Sequence, residues 1–250
     1  MLFNEKITVA EIAEPFLTCS PHDRVEAVYA KLDRLHFEAV GVEEEGTVTS
    51  YVLKEDLRNA RQIKDVSRLF SPKDFIVAST PLLELFTILR DRRSIFVLGA
   101  NHSVHIITRT DLQKIPVRML LFGLVSLIEM HMLRLIRENH PDAEWKGLLP
   151  VHRLEKAMDM MKTRQERNEA IDLGDCLQFS DKKEIILNSS LLKKMLGIPS
   201  KKKGASLFNK IEALRDKLAH AQDLVTGTTW SDIFNTIRES ESLLERMEQL

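Results

Sequence analysis

Near the C-terminus, Arg215, Asp216 and His220 bring together side chains that could hold and cleave a phosphodiester. A guanidinium grips two phosphate oxygens with its planar fork, and histidine exchanges protons near neutral pH. Apolar residues recur around these positions with helical spacing, at Leu207, Ile211, Leu214, Leu218 and Ala221. At about 100° per residue, Arg215 and His220 fall on the two sides of an arc that faces away from this stripe, with Ala219 between them. The pattern predicts either an ordinary solvated helix face or half of a composite site.

The same segment resembles the signature of the HEPN superfamily, helical domains whose motif is arginine, a polar residue, a few further residues and histidine. Arg215, Asp216 and His220 occupy these positions, and the acidic and aromatic turn at 172–182 is also similar to the family. The resemblance implies an all-α domain that acts as a homodimer. It further implies metal-independent RNA cleavage, in which two copies supply Arg215 and His220 and Asp216 orients one of them.

Five lysines precede the motif helix, at Lys193, Lys194, Lys201, Lys202 and Lys203. The formal net charge of the chain is −1, so a general attraction to nucleic acid is not expected. Local basic clusters would have to hold an RNA backbone. The lysines therefore predict an RNA-binding loop close to the arginine and histidine, and a solvated basic loop is the alternative.

An internal repeat occupies the first part of the chain. The tripeptides at 19–21 and 79–81 correspond, and Ser20 and Thr80 are predicted to N-cap the helices that follow, with proline at the first helical position. Each copy continues with a short apolar strand, a turn, a second strand and another helix. The pattern predicts an α+β domain in which a strand-helix-strand-strand-helix unit occurs twice.

This arrangement resembles a tandem pair of CBS domains, which implies binding of an adenosine-containing ligand such as AMP, ADP or ATP between the repeats. In that family a Ser or Thr contacts phosphate, and an Asp three residues later binds both ribose hydroxyls. The second repeat keeps Thr108 and Asp111, with Arg109 beside them, whereas the first keeps Asp56 but has Leu53 in place of the hydroxyl. The resemblance implies a competent site at Thr108 and Asp111 and a degraded site at Asp56. Either aspartate could instead N-cap the helix that follows it.

Length and composition favour two globular domains, since 250 residues exceed a typical single domain and 44% of them are apolar. We expect the CBS-like pair at residues 1–115 and the HEPN-like helical domain at 116–250. Cys19 and Cys176 show no spacing typical of a disulfide framework or a zinc site, which fits a reducing cytoplasm. No pair of ligand-type residues has the spacing of a metal site, so neither a metal nor a metalloenzyme is predicted.

No membrane association is predicted from the sequence. The N-terminus lacks the basic and apolar regions of a signal peptide. The most apolar run, 119–128, is followed by Glu129 and is shorter than the roughly 20 residues that span a bilayer. A buried helix is expected there.

Two functions of different classes follow from these patterns. The first is an adenine-nucleotide-regulated, metal-independent endoribonuclease, active as a homodimer with RNA as its partner. The alternative is a non-catalytic module for nucleotide sensing and dimerisation. The intact Arg215 and His220 pair, with lysines in the preceding segment, places the nuclease ahead of the sensor.

Overall fold

The computed structural model describes residues 6–100 and 103–250, which form two compact units divided between Val117 and Arg118. The first unit is α+β and the second is helical, as the sequence predicts. The long helix Ile115–Asn139 begins just before the division and belongs mostly to the second unit.

Unit one contains two four-stranded sheets. The first has the order β2-β3-β4-β5, with β2 Thr18–Cys19, β3 Ala39–Glu44, β4 Thr47–Leu53 and β5 Arg68–Leu69. The second has the order β1-β8-β7-β6, with β1 Glu14–Pro15, β6 Phe75–Val77, β7 Ser94–Leu98 and β8 Val104–Thr108. The helices are α1 Val25–Leu35, α2 Lys54–Leu57 and α3 Glu84–Ile88, and a short 3-10 helix at Arg109–Gln113 takes the place of the last helix of the second repeat.

The two repeats exchange their first strands. β1 precedes the strands of the first sheet in the chain but pairs with β8 of the second, with Glu14 opposite Ile106. Reciprocally, β5 precedes the second repeat but pairs with β4, with Ser50 opposite Leu69. Each sheet is therefore completed by an edge strand from the other repeat, and the repeats cannot separate without losing backbone hydrogen bonds.

Aromatic side chains fill the core that this exchange creates. Phe96 of β7 lies within 5.1 Å, between ring centroids, of Phe16, Tyr51 and Phe70. Gly41 is required beside this cluster, because an added Cβ would lie 2.8 Å from Val48 and 3.0 Å from Phe16. Burial of several rings supplies a large part of the hydrophobic stabilisation of this unit.

The predicted N-caps of the two repeat helices are wrong. α1 begins at Val25 after Arg24, and α3 begins at Glu84 after Leu83. Ser20 instead belongs to a tight turn in which its backbone N–H donates to Asp23. A turn therefore separates each proline from its helix, and the helices start about one turn later than local propensity suggests.

Unit two consists of α4 Ile115–Asn139, α5 Val151–Gln165, α6 Phe179–Asn188, α7 Ser190–Met195, α8 Lys201–Ala219 and α9 Trp230–Glu248. Between α5 and α6 the described structure contains the 3-10 turn Gly174–Cys176, within the acidic and aromatic segment noted in the sequence. The motif helix α8 starts at Lys201, because the Ser200 side chain accepts from the N–H of Lys203 and caps it.

α4 is longer than its apolar run suggests. Among the described residues it is the one helix long and apolar enough to cross a membrane by length and composition alone, with a mean hydropathy of 1.8 over an 18-residue window. The expectation that this segment is too short to span a bilayer is therefore wrong for the whole helix. Core helices of soluble proteins pass the same test, and 44% of that window is buried inside the structure.

Candidate functional site

Thr108 and Asp111 lie together where β8 passes into the 3-10 helix. Oδ2 of Asp111 accepts from the Thr108 backbone N–H at 2.7 Å and from the Thr108 hydroxyl at 2.8 Å. Its other oxygen, Oδ1, lies 2.9 Å from Nζ of Lys114. Asp111 is therefore the third residue of a capping box whose N-cap is Thr108, so the alternative that Asp111 itself N-caps a following helix is wrong. A ribose would have to compete with Lys114 for this carboxylate. A ligand role for the pair stays a prediction.

Arg109 has a structural role in the described chain. Its Nε donates to the carbonyl oxygens of Leu89 and Arg92 at 3.0 and 3.1 Å, and its Nη2 donates to that of Arg90 at 2.9 Å. These carbonyls follow the last turn of α3, where helices leave acceptors unsatisfied. Arg109 therefore stabilises the loop between α3 and β7. A phosphate that bound Arg109 would have to displace these carbonyl oxygens or share the guanidinium with them.

Asp56 does not cap α2. It lies in that helix and binds Nη2 of Arg68 at 2.6 Å, while the residue before the helix is Leu53, which has no side-chain acceptor. The N-cap alternative is therefore wrong for Asp56. The ion pair reaches across to β5, so it reinforces the strand exchange instead.

A cleft of about 370 Å³ opens in unit one beside α1. Two cations, Arg24 and Lys31, line it together with Asp23, and Val28 and Val40 give it an apolar wall. Asp56, Thr108 and Asp111 are not among its lining residues. The cleft was not predicted from the sequence, because Arg24 is the extended residue before α1 and Lys31 lies within that helix, so no single periodic pattern links the two cations.

In unit two, the arc predicted from helical spacing is present. Ala219, Asp216 and His220 are exposed, and Arg215 is half-buried with 41% of its side chain accessible. His220 is the C-cap residue of α8. In the described part of the chain its ring has no hydrogen-bond or ion-pair partner.

Arg215 is held by a carboxylate from a distant helix. Glu129 on α4 places Oε2 at 3.8 Å from Nε of Arg215, while its Oε1 accepts from the buried Lys182 at 2.8 Å. Asp216 approaches Nη1 of Arg215 at 3.9 Å. The contact between Glu129 and Lys182 is not predictable from the sequence, because 53 residues separate them and no local pattern links them.

The five lysines do not form a loop beside the motif. Lys193 and Lys194 belong to α7, and 201–203 form the first turn of α8. With a rise of about 1.5 Å per residue, that turn lies roughly 20 Å from Arg215 along the helix. Lys201 is also engaged, with Nζ 2.6 Å from the Asn188 amide oxygen and 3.1 Å from Glu184. The expected proximity is therefore wrong for Lys201, Lys202 and Lys203, and an RNA-binding role for the five lysines stays a prediction.

The acidic turn before α6 is an internally bonded structure. Asp172 and Asp175 each accept a backbone N–H from the other at 3.0 Å. Nη2 of Arg137 binds both carboxylates, at 2.6 and 2.8 Å. These partners and the backbone bonds hold the pKa of Asp175 below its usual value, although burial opposes this. The turn anchors α4 to the start of α6.

Comparison with known proteins gives likenesses to solved structures only. No protein-family model and no curated protein matches the chain.

Solved CBS-domain structures match about 45% of the chain. The CBS domain of a bacterial CNNM/CorC-family Mg²⁺ transporter, solved in complex with ATP, is 17% identical, covers 44% of this chain and 87% of its own, and has a TM-score of 0.37. The CBS-pair protein CBSX2 from Arabidopsis thaliana is 18% identical, covers 42% and 90%, and has a TM-score of 0.36. Staphylococcus aureus OpuCA is 14% identical, covers 41% and 92%, and has a TM-score of 0.35.

Proposed function

We propose that unit one is a CBS-type sensor that binds an adenine nucleotide and regulates the helical unit. The observation that carries the proposal is the cleft beside α1, in which two cations lie next to an apolar wall. Its volume of about 370 Å³ is within the range of roughly 300–1,000 Å³ typical of small-molecule sites.

The chemistry of the cleft suits a nucleotide. Arg24 and Lys31 offer charge-assisted hydrogen bonds to phosphate oxygens. Val28 and Val40 offer a dry surface to a purine ring, and Asp23 offers carboxylate oxygens to hydroxyl groups. Asp111 does not line the cleft, so in this proposal it keeps its capping role, and the Asp111→Ala titration below tests whether it also binds the ribose.

The test is a calorimetric titration of the full chain with AMP, ADP and ATP. We expect saturable binding that Arg24→Glu and Lys31→Glu each weaken at least tenfold, because each replaces an attraction for phosphate with a repulsion. Arg34→Glu is the matched control, since it makes the same charge change at an exposed position on α1 outside the cleft. The absence of saturable binding to all three nucleotides would refute the proposal.

Asp111→Ala in the same titration locates the ribose. Loss of binding in this variant alone, with Arg24→Glu still binding normally, would place the nucleotide at Thr108 and Asp111 and not in the cleft. Asp56→Ala tests the first-repeat position in the same way. Circular dichroism of each variant shows whether the fold is kept, which is needed because Asp111 also caps the 3-10 helix.

A second candidate function, RNA cleavage, is favoured by the exposed ring of His220, which has no partner among the described residues, on the same helix as the half-exposed Arg215. In this reaction the 2′-oxygen of a ribose attacks phosphorus and loses its proton to a base. The 5′-oxygen of the next nucleotide leaves and gains a proton from an acid, so the products are a 2′,3′-cyclic phosphate and a 5′-hydroxyl end. One histidine does not readily serve as both base and acid, so a homodimer would supply the second His220.

His220→Ala should reduce RNA cleavage by about 100-fold to 10,000-fold, the usual effect of removing one acid or base group. Arg215→Ala should reduce it by about 100-fold to 1,000-fold, because it removes a donor that stabilises charge on the phosphate. Neither side chain belongs to the buried core, so the fold should persist. His152→Ala is the matched control, because it removes another exposed histidine of the same unit. Reactions run with a chelator should be as fast as those without. Wild-type protein that cuts no RNA, with or without nucleotide, would refute the nuclease function and leave the sensor as the remaining candidate.

The two cysteines agree with a cytoplasmic protein, which we propose for this chain. Cys19 and Cys176 are both free and buried. Free thiols persist in a reducing compartment.

A further inference from the structure

The outer face of α4 carries a row of apolar side chains that are largely exposed in the described structure. Met119 is 63% exposed, Phe122 46% and Met130 66%. Leu133 continues the row and is half-buried beside the Gly174 turn, where a Cβ added to Gly174 would lie 3.2 Å from it. All lie on one side of the helix, with Ser126 at the centre of the row. We call these five residues the α4 stripe.

Burial on the opposite side shows that the stripe is not simply part of the core. The inward face of α4 is already packed, through Leu121, Val125, Ile128, Met132 and Ile136, each no more than 1% exposed. A monomer has no need of three further large apolar side chains in water on the other face. Contiguous exposed apolar surface of this kind marks an interaction site.

The spacing of the stripe is palindromic. Met119 and Phe122 lie seven and four residues before Ser126, and Met130 and Leu133 lie four and seven residues after it. A two-fold axis through Ser126 and perpendicular to the helix would therefore place Phe122 against Met130 of a second copy. It would likewise place Met119 against Leu133 of that copy. A surface that complements itself in this way is what an isologous two-fold interface requires.

The centre of the stripe is small enough for two helices to approach. Ser126 lies on the axis, and Gly123 lies about 60° to one side of it around the helix. Glu129, which binds Lys182 and lies next to Arg215 within its own chain, falls about 60° to the other side. The carboxylate therefore lies at the edge of the interface, where it keeps these partners when the two helices meet.

We propose that the protein forms a two-fold homodimer through antiparallel packing of the α4 stripes. The stripe extends about 21 Å along the helix, and Phe122 alone presents on the order of 100 Å² of ring surface. A standard interface covers roughly 800 Å² per partner, so the stripe forms its apolar centre and neighbouring polar side chains form the rim. This proposal is independent of nucleotide binding. It differs from dimerisation through Ala219, which the HEPN resemblance favours.

Sedimentation equilibrium of the full chain tests the proposal. We expect a dimer for the wild type, and a dissociation constant at least 100-fold higher for Met130→Glu and for Phe122→Glu, since each would bury a carboxylate in the interface. Met158→Glu is the matched control, because Met158 is also 46% exposed but lies on α5. Combining Phe122→Glu with Met130→Lys in one chain should restore the dimer, because the two new charges face each other across the axis.

Cross-linking tests the register. Ser126→Cys should give a disulfide-linked dimer on mild oxidation, because equivalent residues meet on the axis, whereas Met158→Cys should not. A wild type that stays monomeric at every concentration would overturn the proposal. So would dimers that resist Met130→Glu but are split by Ala219→Trp, which would place the interface at the motif arc. Monomeric protein that instead binds phospholipid vesicles through α4 would assign the stripe to a membrane and overturn it as well.

Discussion

At the scale of single residues, the environment of Cys19 makes its thiol hard to ionise. Burial raises its pKa from 9.0 to about 11, and Asp23 adds to the rise while Lys31 opposes it. The folded protein therefore keeps this proton at a pH where the unfolded chain releases it. The contribution to stability is complete below pH 9 and is lost as the pH rises through about 11.

We predict that the free energy of unfolding of the wild type falls between pH 9 and 11 by roughly 2 kcal/mol more than that of Cys19→Ala, at about 1.4 kcal/mol per pKa unit. Denaturant titrations across this pH range measure the difference. Burial also raises the pKa of Cys176, so both proteins should carry Cys176→Ala. Parallel pH profiles for the two proteins would contradict the assigned environment of Cys19.

Other single residues show what local sequence can and cannot reveal. The positions of Thr108 and Asp111 at the end of a strand were predictable from spacing. The bonds from Arg109 to carbonyls 17 to 20 residues earlier in the chain were not. The exposure of His220 followed from helical periodicity, but the Glu129 carboxylate beside Arg215 depends on how two distant helices pack.

At the scale of elements, the order of strands and helices in the repeats was largely predictable, because alternating and helical apolar patterns are local signals. The exchange of β1 and β5 was not, since strands of two residues carry no periodicity and their pairing is decided by tertiary contacts. The start of α8 also depends on tertiary contacts. Gly204 lowers helix propensity there, but it lets the helix approach Leu187 and Ile198, to which an added Cβ would lie 2.5 and 2.7 Å away.

At the scale of the whole molecule, the tryptophans distinguish the two units. Trp145 is buried and Trp230 stacks on Phe234 at 5.8 Å between centroids, and both belong to unit two. The aromatic cluster of unit one contains Tyr51 and phenylalanines but no tryptophan. Tryptophan fluorescence therefore follows the unfolding of the helical unit alone, while calorimetry follows both.

We predict two calorimetric transitions on heating, one of which coincides with the change in tryptophan fluorescence. Saturating AMP or ATP, whichever binds more tightly in the titrations, should raise the other transition, because a ligand at 100 times its dissociation constant stabilises the bound fold by about 2.7 kcal/mol. Arg24→Glu should abolish this shift, and Arg34→Glu should keep it. If binding also regulates the helical unit, the fluorescence transition moves with the nucleotide in the wild type and stays fixed in Arg24→Glu. A nucleotide shift confined to the fluorescence transition would place the binding site in the helical unit and contradict a sensor in unit one.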